Sequence, residues 1–342
     1  MRAVNIREFG TIEELVVEDV ADPVAGPGQV LVDVRATAAN FVDLLVISGK
    51  YQFLPQRPFV PGKLPTGVVA ALGEGVTTLK IGDRVLTLAE QGGYGEKIAV
   101  SAKDCFELPT DLSFVDAAAM ALAFDTAWFA LCERARAKPG ETVLVLGASG
   151  GVGMAAVQLA KAYGMRVLAG IANPAKADLV RQAGADEIID LSAANLLESL
   201  RDQVRAVTQG NGADVVLDPL GGDIFDAAIR ATAWRARVVV IGFAAGRIPT
   251  LKVNYVLLKN IEVSGLQISD YRKRAPKEMT HCLAEIFRLF KEGKLKAMPT
   301  RTYPLDEVRV ALRHLTDRTA KGRLILTMGP AAEIRGKNAN TL

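Results

Sequence analysis

Gly147, Gly150, Gly151 and Gly153 stand close together in this chain of 342 residues, directly after the apolar run Thr142–Leu146. That run, rich in valine, predicts a buried parallel strand. Beyond the glycines the period changes: Val152, Ala156, Leu159 and Ala160 fall at helical spacing, and Gly164 is placed to end a helix in the left-handed conformation. A turn without Cβ atoms lets backbone approach a ligand closely. Unpaired N–H groups and the dipole of the following helix favour an anion there. Strand, glycine turn and helix together predict a dinucleotide pyrophosphate site rather than a merely tight connection. One departure is Ala148 at the first fingerprint position, so the motif reads Ala-x-Gly-x-x-Gly.

The second strand bears on which dinucleotide binds. A site for NAD usually carries an acid about 20 residues past the glycines, on the ribose hydroxyls. Here the segment is Leu168-Ala169-Gly170-Ile171-Ala172-Asn173-Pro174-Ala175-Lys176, without a carboxylate. A 2′-phosphate would meet no repulsion, and Lys176 can reach it as a point charge, with Arg181 as a second candidate. The expected cofactor is NADP(H).

Metal chemistry has less support. Catalytic zinc takes three protein ligands and structural zinc usually four. The histidines are His281 and His314, both in C-terminal helical stretches, and Cys105, Cys132 and Cys282 do not cluster along the chain. No zinc is expected, and hydrogen bonds would have to polarise a hydride acceptor instead. Three scattered cysteines also argue for a reducing compartment, so a cytoplasmic location is expected. Half of the residues are hydrophobic, yet no run approaches the roughly 20 apolar residues of a membrane span. Met1–Glu8 alternates like a strand and lacks the apolar core of a signal peptide. A net charge of +3 gives no reason to propose nucleic acid as a partner.

The elements that must position these residues divide into two grammars. The length exceeds what one core usually absorbs, so two domains are expected. Arg2–Arg7, Leu15–Val20, Gln29–Thr37, Thr66–Leu72, Arg84–Leu88 and Gly95–Val100 read as short strands of a barrel-like, mostly β domain. A helix over Asn40–Ile47 interrupts it, and an alanine-rich helix over Asp116–Arg134 follows. From Gly140, strands Thr142–Leu146, Arg166–Ile171, Glu187–Ile189, Ala213–Leu217, Arg237–Ile241 and Ile261–Leu266 alternate with helices, among them Pro174–Ala183, Leu196–Thr208 and Asp223–Ala233. This alternation predicts an α/β fold, a doubly wound parallel six-stranded Rossmann domain. Helices Lys277–Glu292 and Asp306–Arg318 and strand Arg323–Met328 are expected to rejoin the β domain. The domains would then be 1–122 with 267–342, and 123–266. Ala331–Leu342 reads as a polar, frayed tail, and the basic stretch Asp270–Lys277 as a solvated loop.

Several ordered motifs span nearly the whole chain: Asn40-Phe41-Val42-Asp43 leading to Ser48-Gly49-Lys50-Tyr51, Pro58-Phe59-Val60-Pro61-Gly62, Gly82-Asp83-Arg84-Val85, Leu146 to Gly153, and Lys321-Gly322-Arg323-Leu324. With them the sequence resembles the medium-chain dehydrogenase/reductase superfamily, in particular its zinc-free quinone oxidoreductase branch, which includes zeta-crystallin. Zinc-dependent members of that superfamily would show a Cys near Asn40 and Gly-His-Glu just after Gly62, where this chain has Lys63-Leu64-Pro65-Thr66. The resemblance implies a GroES-like catalytic domain carrying the inserted nucleotide domain, and commonly a homodimer joined through the edges of the two nucleotide-domain sheets. It also implies that Asn40 lies near nicotinamide and substrate, that Thr126 contacts the cofactor, and that Ser149, Gly150, Gly151 and Val152 hold the pyrophosphate. Gly242, Phe243 and Asn254 match segments beside the cofactor. Tyr51 matches a tyrosine that donates a proton in related enoyl thioester reductases. Two departures are Asp190-Leu191-Ser192, where many relatives carry a tyrosine, and Leu45, where some quinone reductases have an aromatic residue.

Hydride transfer to a quinone, or to a C=C bond conjugated with a carbonyl, puts negative charge on oxygen. The Asn40 amide and the Tyr51 phenol are donors of the kind that could stabilise or protonate it, with acceptor and nicotinamide held in a cleft. Asn40 is equally suited to cap its helix, and Tyr51 to pack beside Pro55 and Pro58. The leading expectation is an NADPH-dependent quinone or enone oxidoreductase acting on a small molecule. An enoyl thioester reductase and a non-catalytic NADPH-binding protein are the alternatives.

Overall fold

The computed structural model describes residues 1–329, so the frayed-tail expectation for Ala331–Leu342 lies outside the described residues. The chain begins with β1 (Arg2–Val4), β2 (Val17–Asp19), β3 (Gln29–Ala39), α1 (Phe41–Ile47), β4 (Thr66–Leu72), β5 (Arg84–Thr87), β6 (Lys97–Ser101), β7 (Cys105–Glu107) and α2 (Phe114–Trp128). It continues through β8 (Thr142–Leu146), α3 (Gly151–Ala162), β9 (Arg166–Ile171), α4 (Ala177–Gln182), β10 (Glu187–Asp190), α5 (Leu196–Val207), β11 (Ala213–Asp218), α6 (Gly222–Arg230), β12 (Thr232–Val240), α7 (Asn254–Lys259) and β13 (Glu262–Gly265). Helices α8 (Ile268–Arg274) and α9 (Pro276–Lys291), strand β14 (Thr300–Pro304), helix α10 (Val308–Thr316) and strand β15 (Arg323–Thr327) complete it. Two compact units result, residues 1–122 with those from 297 onward, and residues 123–296.

In the first unit β3 is the spine of a mixed sheet. Along one edge it pairs antiparallel with β4. Its other edge takes β6 over Gln29–Asp33 and then β15 over Ala36–Ala39. Val30, Val32 and Val34 alternate inward into the core, as expected for a strand with one covered face. Because β15 begins beside the last residues of β3, Arg323 arrives next to the start of α1.

The second unit is a six-stranded parallel sheet in the order β10-β9-β8-β11-β12-β13. Counted within this unit the order is 3-2-1-4-5-6, the doubly wound arrangement whose crevice lies at the carboxyl ends of the central strands. Residues 143–146 of β8 are buried, which suits a central parallel strand covered on both faces.

Several expectations shift. Helix α6 ends at Arg230 rather than Ala233, and β12 starts at Thr232 rather than Arg237. The Lys259 ammonium donates to the carbonyls of Arg230 and Thr232, both at 2.9 Å, which satisfies the helix end and lets the strand begin there. Asp270–Arg274, read as loop, belongs to α8, where the Arg272 guanidinium pairs with the buried Asp125 carboxylate at 2.6 Å. Tyr271 also packs on Phe129, ring centroids 4.5 Å apart. These contacts keep residues 267–296 with the nucleotide unit, whereas the sequence reading put the return to the β domain at 267. The run Phe114–Arg134, α2 and its π-helical continuation, corrects the reading that no stretch is long and apolar enough to cross a membrane. It passes by length and composition, but 83% of its apolar window is buried, as in a core helix.

Candidate functional site

The glycine turn is built as the spacing implies. Gly147 follows β8 with φ of +64°, and its carbonyl accepts from Gly150 N–H at 2.9 Å, closing the turn. Ala148 N–H reaches Gly170 O at 2.9 Å and ties the turn to β9. A Cβ on Gly153 would stand 2.3 Å from Gly147 O and 2.6 Å from Ala148 Cα, so only glycine lets α3 press so closely on the turn. Ala148 itself is fully buried beneath it. Gly150 is the N-cap of α3, and the N–H groups of the first helical turn have no intrahelical acceptor. Backbone donors, helix dipole and a cradle kept open by glycine fit a pyrophosphate.

Around this turn the structure gathers two more loops. Asp218 closes β11, and its Oδ1 accepts from Leu220 N–H and Gly221 N–H, both at 2.9 Å. Its Oδ2 is buried without a hydrogen-bond partner, and burial pushes its carboxyl up from the usual range. Gly242 N–H and Ile241 N–H both reach Asp218 O, at 3.3 and 2.8 Å. The ring of Phe243 sits where a Cβ on Gly221 would be, 2.9 Å away. Residues 147–153, 218–221 and 242–243 therefore adjoin at the carboxyl ends of β8, β11 and β12. Asp218 was missed in the sequence, although a carboxylate ending an apolar strand just before Pro219 and a glycine pair was a usable signal.

Lys176 lies beyond the end of β9. Asn173 Oδ1 accepts from Ala175 N–H at 3.0 Å, capping a single turn over Pro174–Lys176. The Lys176 side chain is half-buried, and burial lowers its pKa. Arg181 pairs with Asp178 at 3.4 Å. Thr126 is a buried residue of α2, its hydroxyl donating to Asp125 Oδ1 at 3.2 Å. Asn254 opens α7 as an exposed residue.

In the first unit, Asn40 occupies the N-cap of α1 but is more than a cap. Its backbone N–H donates to Asp43 Oδ2 at 2.8 Å, and its side-chain Nδ2 donates to Ala38 O at 2.9 Å. Arg323 Nη2 donates to its Oδ1 at 2.7 Å. Asp43 Oδ2 also accepts from Tyr94 OH at 2.9 Å. Burial raises the Asp43 carboxyl and the Tyr94 phenol and pushes Arg323 down to about 10, the Asp43 charge opposing that last shift. Close by in the same network is Lys63, whose charge is felt at Asp43. Its ammonium pairs with Glu90 and lies 5.4 Å from the centroid of the Tyr51 ring. Tyr51 is half-buried and meets Phe53 edge-on, with centroids 6.3 Å apart.

Asp43 and Arg323 stood inside motifs already quoted, yet their roles depend on contacts across the fold. Lys63 had a local signal, a lone cation within the apolar stretch from Phe59 to Leu72. Among the described residues, no three His, Cys, Asp or Glu side chains are grouped to hold a metal ion. His281 packs edge-on against Trp128, and His314 shares a 2.8 Å hydrogen bond with Thr319. A cavity of about 370 Å³ elsewhere in this unit, walled by Asn5, Arg7, Glu8, Thr11 and Glu18 among others, includes none of the candidate residues.

Comparison with known proteins agrees with both halves. Residues 26–110 match the family described as alcohol dehydrogenase GroES-like domain, and residues 151–285 the family described as zinc-binding dehydrogenase. A quinone oxidoreductase-like protein 2 homolog of Nematostella vectensis is 36% identical over 95% of this chain and 88% of its own. Among solved structures, quinone oxidoreductase of Pseudomonas syringae pv. Tomato DC3000 superposes with a TM-score of 0.88 at 30% identity, covering 96% of this chain and 99% of that one. A mycobacterial protein complexed with NADPH gives 0.88 at 29%, covering 96% and 100%. The enoyl reductase CurK gives 0.86 at 26%, covering 96% and 99%.

Proposed function

This chain belongs to the quinone oxidoreductase branch of the medium-chain dehydrogenase/reductase superfamily, and we propose that it uses NADPH to reduce quinones or conjugated enones without a metal. It is a medium-chain oxidoreductase acting with a nicotinamide cofactor on a small molecule. The observation that carries the acceptor reading is the Asn40 carboxamide, whose oxygen is fixed by Arg323 and whose nitrogen is turned toward Ala38. An amide nitrogen has two hydrogens, so the group keeps a donor in a fixed direction, next to a cluster that contains Tyr51 and Lys63. Fixed donors are what a developing oxyanion needs.

NADPH, when bound, supplies the hydride. Ser149, Gly150, Gly151, Val152 and Gly153 would hold its pyrophosphate, and Lys176 its 2′-phosphate. Thr126, Gly242, Phe243 and Asn254 remain assigned to it by motif, and Asn40 to its nicotinamide end. Support for NADPH over NADH comes from Lys176 following β9 where no carboxylate stands, together with the NADPH complex of the mycobacterial relative. Tyr51 would donate the proton that completes reduction.

An enoyl thioester reductase is the second reading, favoured by the likeness to an enoyl reductase. A steady-state panel of 1,2- and 1,4-quinones, alkenals and crotonyl-CoA separates the two. Highest kcat/KM with a quinone or alkenal supports the first reading, and dominant turnover of crotonyl-CoA replaces it with the second. A homodimer is proposed through the edge strand β13, because Val253, Leu257 and Leu258 just before it are large apolar residues left exposed. A cytoplasmic location is proposed because Cys105, Cys132 and Cys282 are free thiols.

A further inference from the structure

Lysine is almost never fully buried unless something fixes it there. The Lys63 side chain is 6% exposed, and its partner Glu90 is 25% exposed. The cation lies over the face of the Tyr51 ring, 5.4 Å from the centroid. Its charge is felt at Asp43, whose carboxylate holds the backbone N–H of Asn40. One buried cation therefore stands in a single cluster with both residues assigned above to the acceptor. An ammonium has three N–H donors, and the Glu90 pair occupies one direction.

We propose that Lys63 stabilises the oxyanion created on the acceptor by hydride transfer, acting as a catalytic residue packed against the Tyr51 ring and partly neutralised by Glu90. This rests on the quinone or enone reading. With an enone, the hydride brings two electrons and forms the new C–H bond at the β-carbon. The C=C pair shifts toward the carbonyl, and its oxygen takes the negative charge. With a quinone, reduction leaves a phenolate oxygen in the same role. NADPH is the two-electron donor and ends as NADP⁺, and Tyr51 or water supplies the proton that finishes the product. An ammonium kept out of water stabilises such an oxygen more strongly than one in solvent.

The test uses nucleotide-free protein and 4-nitrophenol, whose ionised form mimics the oxyanion and whose absorbance reports its charge. The wild-type protein is expected to bind 4-nitrophenolate more tightly than neutral 4-nitrophenol, so that the bound probe ionises at lower pH than the free one. Lys63→Met should remove that preference, with a loss of about tenfold or more in phenolate affinity, one pKa unit being tenfold. Lys63→Arg should restore part of it. Glu90→Gln keeps the ammonium while removing its counter-charge, and should strengthen phenolate binding, which keeps the test open if Lys63→Met folds poorly. Equal phenolate affinity in wild type and Lys63→Met, or weaker binding in Glu90→Gln, overturns the proposal. Failure of the oxidoreductase reading would show separately, as wild-type protein that oxidises NADPH with no acceptor in the panel.

Discussion

Arg323 Nη2 and Asn40 Oδ1, 283 positions apart in the chain, are joined by a 2.7 Å hydrogen bond in the first unit. The bond turns an N-cap residue into an oriented donor, because the carboxamide oxygen is occupied and the nitrogen side is the one left to act. Arg323 also donates through Nε to Ala119 O at 3.2 Å, so the clamp is itself held.

Arg323→Met should therefore lower stability by about 1–3 kcal/mol, the usual cost of leaving buried polar groups without partners, and lower kcat more than it raises the Kd for NADPH. Arg323→Lys keeps the charge without the planar fork and should recover only part of either loss. Denaturant melts and turnover of the two variants check this.

Lys176→Ala should weaken NADPH by about tenfold or more while leaving NADH nearly unchanged, since a single charge-assisted contact to phosphate accounts for the difference. Titration of both nucleotides by protein fluorescence measures it. Equal weakening of the two would mean that Lys176 does not read the 2′-phosphate.

Tyr51→Phe removes the phenol but keeps the ring beneath Lys63. If Tyr51 is the general acid, turnover falls by about 10²–10⁴ when proton transfer limits the rate. An unchanged turnover number, with a solvent isotope effect showing that proton transfer is limiting, removes Tyr51 from the mechanism.

Burial pushes the thiols of Cys105 and Cys132 up to about 12. At pH 8 the folded protein should therefore be alkylated slowly at both, and quickly once denaturant returns them to about 8.5. The sign for stability follows, since a raised acid binds its proton more tightly in the folded state. That contribution is complete below about pH 8.5 and is lost as pH climbs toward the folded values. Mass spectrometry of iodoacetamide-treated protein, with and without denaturant, reads the first effect.

The nucleotide unit was legible because its signals are local. Valine runs covered on both faces, a glycine turn and the Asn173–Pro174 cap each act over a few residues, and they reappear with nearly the expected bounds. Where β12 begins was not legible, since the Lys259 ammonium that closes α6 comes from a later helix. Residues 270–274 were misread for a similar reason. Their basic composition suggests solvent, while a buried partner at Asp125 makes Arg272 part of a packed helix. In the first unit, Asn40 and Tyr51 could be named from motifs, but Asp43, Tyr94, Lys63 and Arg323 acquire roles only when four separate segments meet.

The central claim is hydride delivery from NADPH to a quinone or enone by hydrogen-bond donors of this chain. Its most direct test is an anaerobic single-turnover experiment on chelator-treated protein preloaded with NADPH and mixed with 1,4-benzoquinone or an alkenal. Stoichiometric loss of NADPH absorbance, faster than with NADH and undiminished by chelation, is the predicted result. No loss with either acceptor, or loss that returns only when zinc is restored, would contradict the account.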